Sequence, residues 1–252
     1  MSKKTLYKIL IPSVFVSILG SLFINPAFSL AQINLFGSPS ASDDFVLSWS
    51  SDSYVPNTYL GKALPTRGSE IRMVIEPTKK LAQDPQKLSY RWLLDDGLAG
   101  YASGQGKSVF RFQVTKWAGA AHNVSVQILD ASGNLLALKS QAIRIVNPEV
   151  LLTKTDNSYA LQNTLNVGTG QQINFYAIPL FFHIEDLAQV LWQWTFADQA
   201  IAASDQKDSN LLALTIPQGK LSQTIEKNLS VSATNKDDQY QQAAASLYVN
   251  IK

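Results

Sequence analysis

The chain has 252 residues, of which 46% are hydrophobic and 16% are charged, and it contains no cysteine. Disulfides, cysteine-ligated metal sites and a lipid-modified N-terminal cysteine are therefore excluded. Its formal charge of +2 includes three lysines in the first eight residues, and without them the chain has 18 basic and 19 acidic residues. We therefore predict no polyanion-binding surface and no nucleic-acid partner.

The first 31 residues have the order of a secretory signal peptide. Lys3, Lys4 and Lys8 precede an uncharged apolar stretch over residues 9–24, and small residues follow before position 32. This stretch is shorter than the roughly 20 residues that a membrane-spanning helix needs. We predict cleavage after Ala31 and export to the cell envelope or the extracellular space. The alternative is an uncleaved anchor formed by residues 9–24, which would be the only contact with a membrane.

Residues 32–42, with the sequence QINLFGSPSAS, are predicted to form a flexible linker, and a sequence repeat follows it. EIRMVIEP at 70–77 aligns with QINFYAIP at 172–179, and SDSYVPNTYLG at 51–61 resembles TDNSYALQNTLN at 155–166. Apolar residues alternate in both copies over runs of five to seven residues, a period typical of half-buried strands. We therefore predict an all-β protein of two tandem domains, 43–147 and 148–252, each an immunoglobulin-like antiparallel β-sandwich.

Trp92 and Trp194 occupy the centre of the third main strand of the two predicted domains. A large aromatic side chain at this position fills the space between the two sheets of a sandwich. Residues 147–149 alone separate the last predicted strand of the first domain from the first strand of the second, and Pro148 restricts its own backbone and that of Asn147. We expect two modules joined semi-rigidly and not by a flexible tether.

YRWLLDDG at 90–97, followed by SGQGKSVFRFQV and VSVQILDASGN, resembles PKD-type and related immunoglobulin-like modules of exported bacterial proteins. In that family a strand tryptophan leads into a turn written W-x-F-G-D-G. The run here is WLLDDG at 92–97. The second copy, WTFADQ at 194–199, keeps the tryptophan and the phenylalanine but ends on Gln199 instead of glycine. The resemblance implies extracellular modules used for spacing, adhesion or assembly, and it implies no catalytic residues.

No pairing of a nucleophile with a base is evident in the sequence, so a non-enzymatic protein is predicted. The two histidines, His122 and His183, lie in different copies, and His122 is expected at a solvent-facing rim. GQGKS at 104–108 lacks the spacing of a phosphate-binding loop and precedes a strand. Glu185 and Asp186 remain as a pair of adjacent carboxylates that an enzyme would use for acid–base chemistry.

Asp95, Asp96 and Asp130, with Asp43 and Asp44, are candidate calcium ligands if they crowd at one end of the first sandwich. Aspartate is also favoured in turns, where its carboxylate accepts hydrogen bonds from nearby amides, and we prefer that interpretation. No other cofactor is predicted.

Phe181 and Phe182 stand in the second copy where Lys79 and Lys80 stand in the first. The preferred interpretation is that they pack against the first domain or cap their own sandwich. The alternative is an exposed patch that binds a partner protein.

Trp117 lies in a loop, opposite Leu221 of the second copy. It is interpreted either as a plug at the end of the sandwich or as a platform for a sugar, with Tyr59 and Tyr101 as neighbours. The sequence as a whole predicts an exported interaction and spacer protein with a role in adhesion or surface assembly and an envelope or extracellular protein as partner. The alternative is a carbohydrate-binding protein that uses exposed loop aromatics.

Overall fold

The computed structural model describes residues 44–78, 84–154, 161, 163–203 and 209–252. The predicted signal peptide and linker, together with Asp43, Lys79 and Lys80, lie outside the described residues. Within the described ranges the regular structure consists of strands and three short 3-10 helices. No helix in this part of the chain has the length and hydropathy to cross a membrane.

Eight strands come from each half of the described chain. The first eight are β1 Phe45–Ser51, β2 Glu70–Pro77, β3 Ser89–Leu94, β4 Gly97–Leu98, β5 Gly104–Gln105, β6 Val109–Gln113, β7 Ala121–Leu129 and β8 Leu135–Arg144. The second eight are β9 Glu149–Lys154, β10 Thr164–Val167, β11 Gln172–Leu180, β12 Val190–Phe196, β13 Gln199–Ile201, β14 Leu211–Thr215, β15 Ile225–Asn235 and β16 Gln242–Ile251. The 3-10 helices are Pro85–Lys87, Gly100–Ala102 and Leu187–Gln189.

The strands form four sheets that pack face to face in two pairs. Sheet β1-β2-β6 faces sheet β4-β3-β7-β8, to which β5 adds beside β3, and we call this pair the first sandwich. Sheet β14-β11-β9 faces sheet β10-β16-β15-β12-β13, and we call this pair the second sandwich. The predicted all-β, immunoglobulin-like fold class is confirmed. One pairing departs from the antiparallel prediction, because β10 runs parallel to β16. Period-two alternation shows which side chains face the core but not the direction of the neighbouring strand.

Each sandwich has its own hydrophobic core with a tryptophan at its centre. Trp92 on β3 is fully buried and packs against Phe110 of the facing sheet, with ring centroids 5.4 Å apart. Its indole Nε1 donates to the carbonyl of Lys107 at 2.9 Å. Trp194 on β12 is also buried, and its Nε1 donates to the carbonyl of Ser209 at 2.9 Å. The prediction that both tryptophans fill the space between two sheets is confirmed.

The same turn follows the tryptophan strand in both sandwiches. Asp95 and Asp96, between β3 and β4, have φ angles of 49° and 67°, and Ala197 and Asp198, between β12 and β13, have φ angles of 51° and 63°. Two consecutive left-handed residues are typical of the two-residue hairpin turn that suits the twist of antiparallel strands. The turn therefore keeps its conformation in the second sandwich although Ala197 stands where aspartate stands in the first.

The first sandwich lacks a counterpart of β10. In the second sandwich β10 lies along β16, and the amide of Lys252 donates to the carbonyl of Val167 at 2.9 Å. In the first sandwich residues 52–69 contain no strand. One matching hydrogen bond remains there, from the amide of Val146 to the carbonyl of Pro65 at 2.9 Å. Other residues of this segment, among them Tyr54, Tyr59 and Arg67, contact the second sandwich instead.

Candidate functional site

Polar and aromatic side chains of the two sandwiches meet at what we call the junction. It is formed by residues 52–69 between β1 and β2, residues 113–117 at the end of β6 and after it, residues 181–186 after β11 and residues 236–241 between β15 and β16. Residues 145–148, the short connection between β8 and β9, join the sandwiches at the same place. The junction is therefore a contact between loops that are far apart in the sequence.

Phe181 and Phe182 are both buried at the junction. Phe182 belongs to the core of the second sandwich, whereas the ring of Phe181 meets Tyr59 edge-on at 5.9 Å. Phe181 has a φ of 64°, a left-handed conformation that is strained for an aromatic residue. Its amide donates to the carbonyl of Tyr54 at 2.7 Å, and the amide of Tyr54 donates to the carbonyl of Phe182 at 2.6 Å. The structure therefore places both rings in the interior and not in an exposed patch.

Gln241 links the two sandwiches through its side-chain amide. Its Oε1 accepts from the amide of His183 at 2.7 Å, and its Nε2 donates to the carbonyl of Arg67 at 2.7 Å. Asn235 Nδ2 adds a hydrogen bond to the carbonyl of His183 at 3.0 Å. Gln241 and Asn235 are each only 2% exposed. Because a buried polar group that loses its partner is costly, this network holds the loops in one relative position.

Gly68 is required beside this network for two reasons. Its φ of 94° is unfavourable for residues with a side chain. A Cβ at this position would also lie 3.2 Å from Gln241 Nε2. The tight approach of the two loops therefore depends on a glycine here.

Trp117, Arg67 and Tyr240 form an exposed stack across the junction. The guanidinium carbon of Arg67 lies 4.1 Å from the ring centroid of Trp117 and 5.2 Å from that of Tyr240. The two rings meet edge to face at 5.5 Å. Trp117 is 57% exposed and Tyr240 is 62% exposed, so Trp117 is not a buried plug. A cation over aromatic faces is attractive, and here it connects residues of both sandwiches.

The other two aromatics grouped with Trp117 in the sequence analysis have different ring partners. Tyr59 contacts Phe181, and Tyr101 contacts Phe110 at a centroid distance of 6.0 Å. The three aromatics do not form one platform in the described structure.

A groove of about 930 Å³ opens along the junction, lined by residues of both sandwiches. Asp52, Glu185, Asp237 and Asp238 give it an acidic lining, and His183 Nδ1 lies 3.4 Å from Asp52 Oδ2. No serine hydroxyl of the described chain is hydrogen-bonded to His183, and no described group of three acidic or histidine side chains is arranged to hold a metal ion. The groove thus has an acidic lining that faces solvent.

Asp186 has a local structural role. Its Oδ1 accepts from the amide of Ala188 at 2.7 Å and so caps the 3-10 helix that follows. Gln189 Oε1 in turn accepts from the amide of Asp186 at 3.2 Å and from the amide of Glu185 at 2.6 Å. This capping box uses the carboxylate of Asp186 for backbone amides and not for acid–base chemistry.

His122 is buried, and the expectation of a solvent-facing rim position is wrong. It lies on the inward face of β7 together with Val124, because the period-two pattern begins with His122 itself. Its Nδ1 lies 2.7 Å from Asp95 Oδ2, whereas its Nε2 is buried and meets no partner among the described residues. The pair has the distance of a carboxylate that orients a catalytic imidazole, but the second ring nitrogen reaches no reactive group.

Asp95 is the most strongly perturbed acid of the described chain. Burial raises its pKa, but hydrogen bonds from Lys116 Nζ, the amide of Asn123 and His122 outweigh burial and lower the pKa to about 2. Lys116 Nζ and the Asn123 amide both reach Asp95 Oδ1, at 2.8 Å and 2.9 Å. Asp95 is therefore a structural anion that ties the turn after β3 to the start of β7.

The calcium candidates are not brought together. Asp95 and Asp96 lie beside the start of β7, whereas Asp130 follows its end, so the length of the strand separates them. Asp130 Oδ1 accepts from the amides of Ser132 and Asn134, each at 2.8 Å, and hydrogen bonds from Asn134 lower its pKa. These contacts are those of an aspartate in a turn.

No protein-family model matches the chain, and no curated protein is similar to it in sequence. Among solved structures, it is similar to the three N-terminal domains of the bacteriophage RB49 Highly Immunogenic Outer Capsid protein, at 12% identity and a TM-score of 0.41; the match covers 82% of this chain and 59% of that one. It is also similar to fibronectin(III)-like modules of Clostridium thermocellum CbhA, at 13% identity and a TM-score of 0.28, over 82% of this chain and 94% of that one. Likeness at this level carries no information on activity or partner.

Sequence reasoning missed the polar residues that hold the junction, Gln241, Asn235 and Arg67. None belongs to a motif, and Gln241 meets Arg67 across 174 residues of sequence. The substitution of Phe181 and Phe182 for two lysines was the one local signal that pointed to this region.

Proposed function

We propose that the chain is an exported, non-catalytic interaction and spacer protein made of two tandem PKD-related immunoglobulin-like domains, residues 43–147 and 148–252. Its role is to hold a binding surface in a fixed position at the cell envelope or outside the cell. The proposal combines the signal-peptide pattern with the contacts of the junction.

The tandem arrangement is supported by features that recur at the offset of the sequence repeat. The indole Nε1 groups of Trp92 and Trp194 each donate to a carbonyl 15 residues later in the chain. The turn after each tryptophan strand contains two consecutive residues in the left-handed conformation. Likewise, the amide of Val114 donates to the carbonyl of Ser69 at 2.8 Å, and the amide of Ile216 donates to the carbonyl of Gln171 at 2.9 Å. Such recurrence is expected if one ancestral domain was duplicated.

The spacer role is carried by the Gln241 network. Two domains that are joined flexibly do not need a buried side-chain amide that hydrogen-bonds to the backbone of both domains. Here Gln241 bonds His183 and Arg67, Tyr54 exchanges two backbone hydrogen bonds with residues 181 and 182, and Arg67 stacks on Trp117. Together these contacts favour one relative orientation of the two sandwiches.

Cell fractionation with N-terminal sequencing tests the proposal. We expect the protein in the envelope or the medium with Gln32 as its first residue. Retention in the cytoplasm with an intact N-terminus would contradict it.

A second candidate function is carbohydrate binding at the exposed stack of Trp117 and Tyr240. Sugars present C–H faces that pack on aromatic rings, and Arg67, Gln113 and Asp238 lie beside Tyr240 as hydrogen-bonding groups. A glycan array comparing the unmodified protein with Trp117→Ala decides this. Binding that is lost in the variant favours the carbohydrate function, and the absence of any bound glycan removes it.

A further inference from the structure

Strand β8 forms one edge of its sheet. The hydrogen bonds of the two residues that follow it, Ile145 and Val146, show which of its backbone groups face outward. The amide of Ile145 donates to Ala120, on the side of β7, at 2.9 Å, and the amide of Val146 donates to Pro65, on the opposite side, at 2.9 Å. Alternate residues of a strand direct their backbone groups to the same side. Residues 138, 140, 142 and 144 therefore direct their amides outward, and no described strand pairs with this edge.

The second sandwich shows what such an edge accepts. The outer edge of its counterpart, β16, is paired by β10 from Thr164↔Tyr248 to Val167↔Ile251. The amide of Tyr248 donates to the carbonyl of Asn163 at 2.7 Å. The side chain of Val167 is buried in this pairing. The fold thus takes up a short extended segment with alternating apolar side chains on this edge.

The side chains at the beginning of β8 form an apolar patch that the corresponding part of β16 does not have. Leu135, Leu136 and Leu138 are 42%, 40% and 38% exposed. Leu138 pairs with Gln127 of β7, and the residue at the same register position in the second sandwich is Ala244, which pairs with Ser232. An exposed edge strand with a row of leucines is a site for pairing with another chain.

The charges on β8 indicate which kind of strand can pair with its outer edge. The strand carries Lys139 and Arg144 and no acidic residue. Antiparallel pairing of β8 with β8 of a second copy offers these cations no anion and brings like charges into one sheet, which is unfavourable. A segment with acidic residues beside its apolar positions complements the edge.

We propose that the outer edge of β8 binds an extended, acidic segment of a partner protein by strand addition. The partner backbone hydrogen-bonds to residues 138–144, and its apolar side chains pack on the leucines. This inference rests on the proposed role as an interaction protein but not on the stiffness of the junction, so the two are tested separately.

The probe is a fluorescent peptide with the sequence of β10 written twice between glutamates, ETLNVTLNVE, and its matched control is KTLNVTLNVK. Fluorescence anisotropy with the mature protein is expected to show binding of the acidic peptide about tenfold tighter than the basic one, since each charged contact at the edge contributes about a factor of ten or less. Lys139→Glu is expected to reduce or reverse this preference. Absence of binding, or equal affinity for the two peptides, overturns the proposal.

The protein variants Ser140→Pro and Ser140→Ala locate the site. Proline at 140 removes one outward N–H and leaves the β7 ladder in place, because proline is tolerated on an edge strand when its nitrogen faces outward. We expect Ser140→Pro to weaken peptide binding at least about tenfold and Ser140→Ala to leave it unchanged. Equal binding by both variants places the peptide elsewhere and overturns the proposal.

If Ser140→Pro does not fold, Leu138→Ser with Lys139→Glu serves in its place. Self-association in analytical ultracentrifugation that Ser140→Pro abolishes would identify a second copy as the occupant and would also overturn it.

Discussion

Replacing Gln241 with alanine removes the side chain that joins the backbones of the two sandwiches. The variant leaves the amide of His183 and the carbonyl of Arg67 without their 2.7 Å partners. Asn235 Nδ2 also loses its 3.3 Å hydrogen bond to Gln241 Oε1, but it keeps the one to the carbonyl of His183 and so retains a partner.

The expected loss follows from these two groups. A buried polar group left unpaired costs about 1–3 kcal/mol. His183 lines the groove of the junction and Arg67 lines a neighbouring pocket, so water can replace part of the lost bonding and the lower end of the range applies to each. We therefore expect the free energy of unfolding to fall by about 2 kcal/mol in Gln241→Ala.

Urea unfolding followed by tryptophan fluorescence measures this loss, and hydrogen exchange of the His183 amide locates it. Gln242→Ala is the matched control, because Gln242 is the next residue and is exposed; it should change stability by less than about 0.5 kcal/mol. Gln241→Glu keeps an acceptor for His183 but places a carboxylate oxygen against the carbonyl of Arg67, so a loss at least as large as that of Gln241→Ala is expected. Unchanged stability and unchanged His183 exchange in Gln241→Ala would refute the reasoning.

Three further outcomes are expected. Trp92→Ala should lower the free energy of unfolding by about 3–5 kcal/mol through cavity formation and unfold the first sandwich; a retained thermal midpoint would contradict its central position. Phe181→Gly should be more stable than Phe181→Ala by about 1 kcal/mol in urea titrations, because glycine accepts a φ of 64° without strain; equal stability would show that the turn is not strained. Asp95→Asn should cost about 1 kcal/mol at pH 7 after allowance for solvent screening. Because the pKa of Asp95 is about 2 in the folded protein against an ordinary 3.8, this difference should disappear as the pH falls from 3.8 to 2; a difference that persists at pH 2 counts against an ionic origin.

The strands and the cores were predictable because their signal is local. Ile71, Met73 and Ile75 alternate in the sequence, and all three are buried on the inner face of β2. Trp92 was recognisable for the same reason, since it lies within a run of alternating residues. The burial of His122 was missed because a histidine at the beginning of a strand is usually polar and exposed, and only its pairing with Asp95 makes the interior position acceptable.

The junction was not predictable from the same patterns. Its hydrogen bonds join side chains to backbone groups of distant loops, and such contacts leave no periodicity in the sequence. The left-handed Phe181 is an example, because nothing in PLFFHIED marks a positive φ at an aromatic residue. The missing counterpart of β10 is another, since residues 51–61 and 155–166 read alike although the first stretch turns toward the other sandwich.

The orientation of the two sandwiches is tested most directly by a distance measurement between them. The chain has no cysteine, so Arg91→Cys and Gln193→Cys, both on exposed strand positions, take spin labels without competing sites. Double electron–electron resonance should give one narrow distance distribution for this protein and a clearly broader one when Gln241→Ala is added. A broad distribution before that substitution, or the same narrow one after it, would contradict a junction held by the Gln241 network.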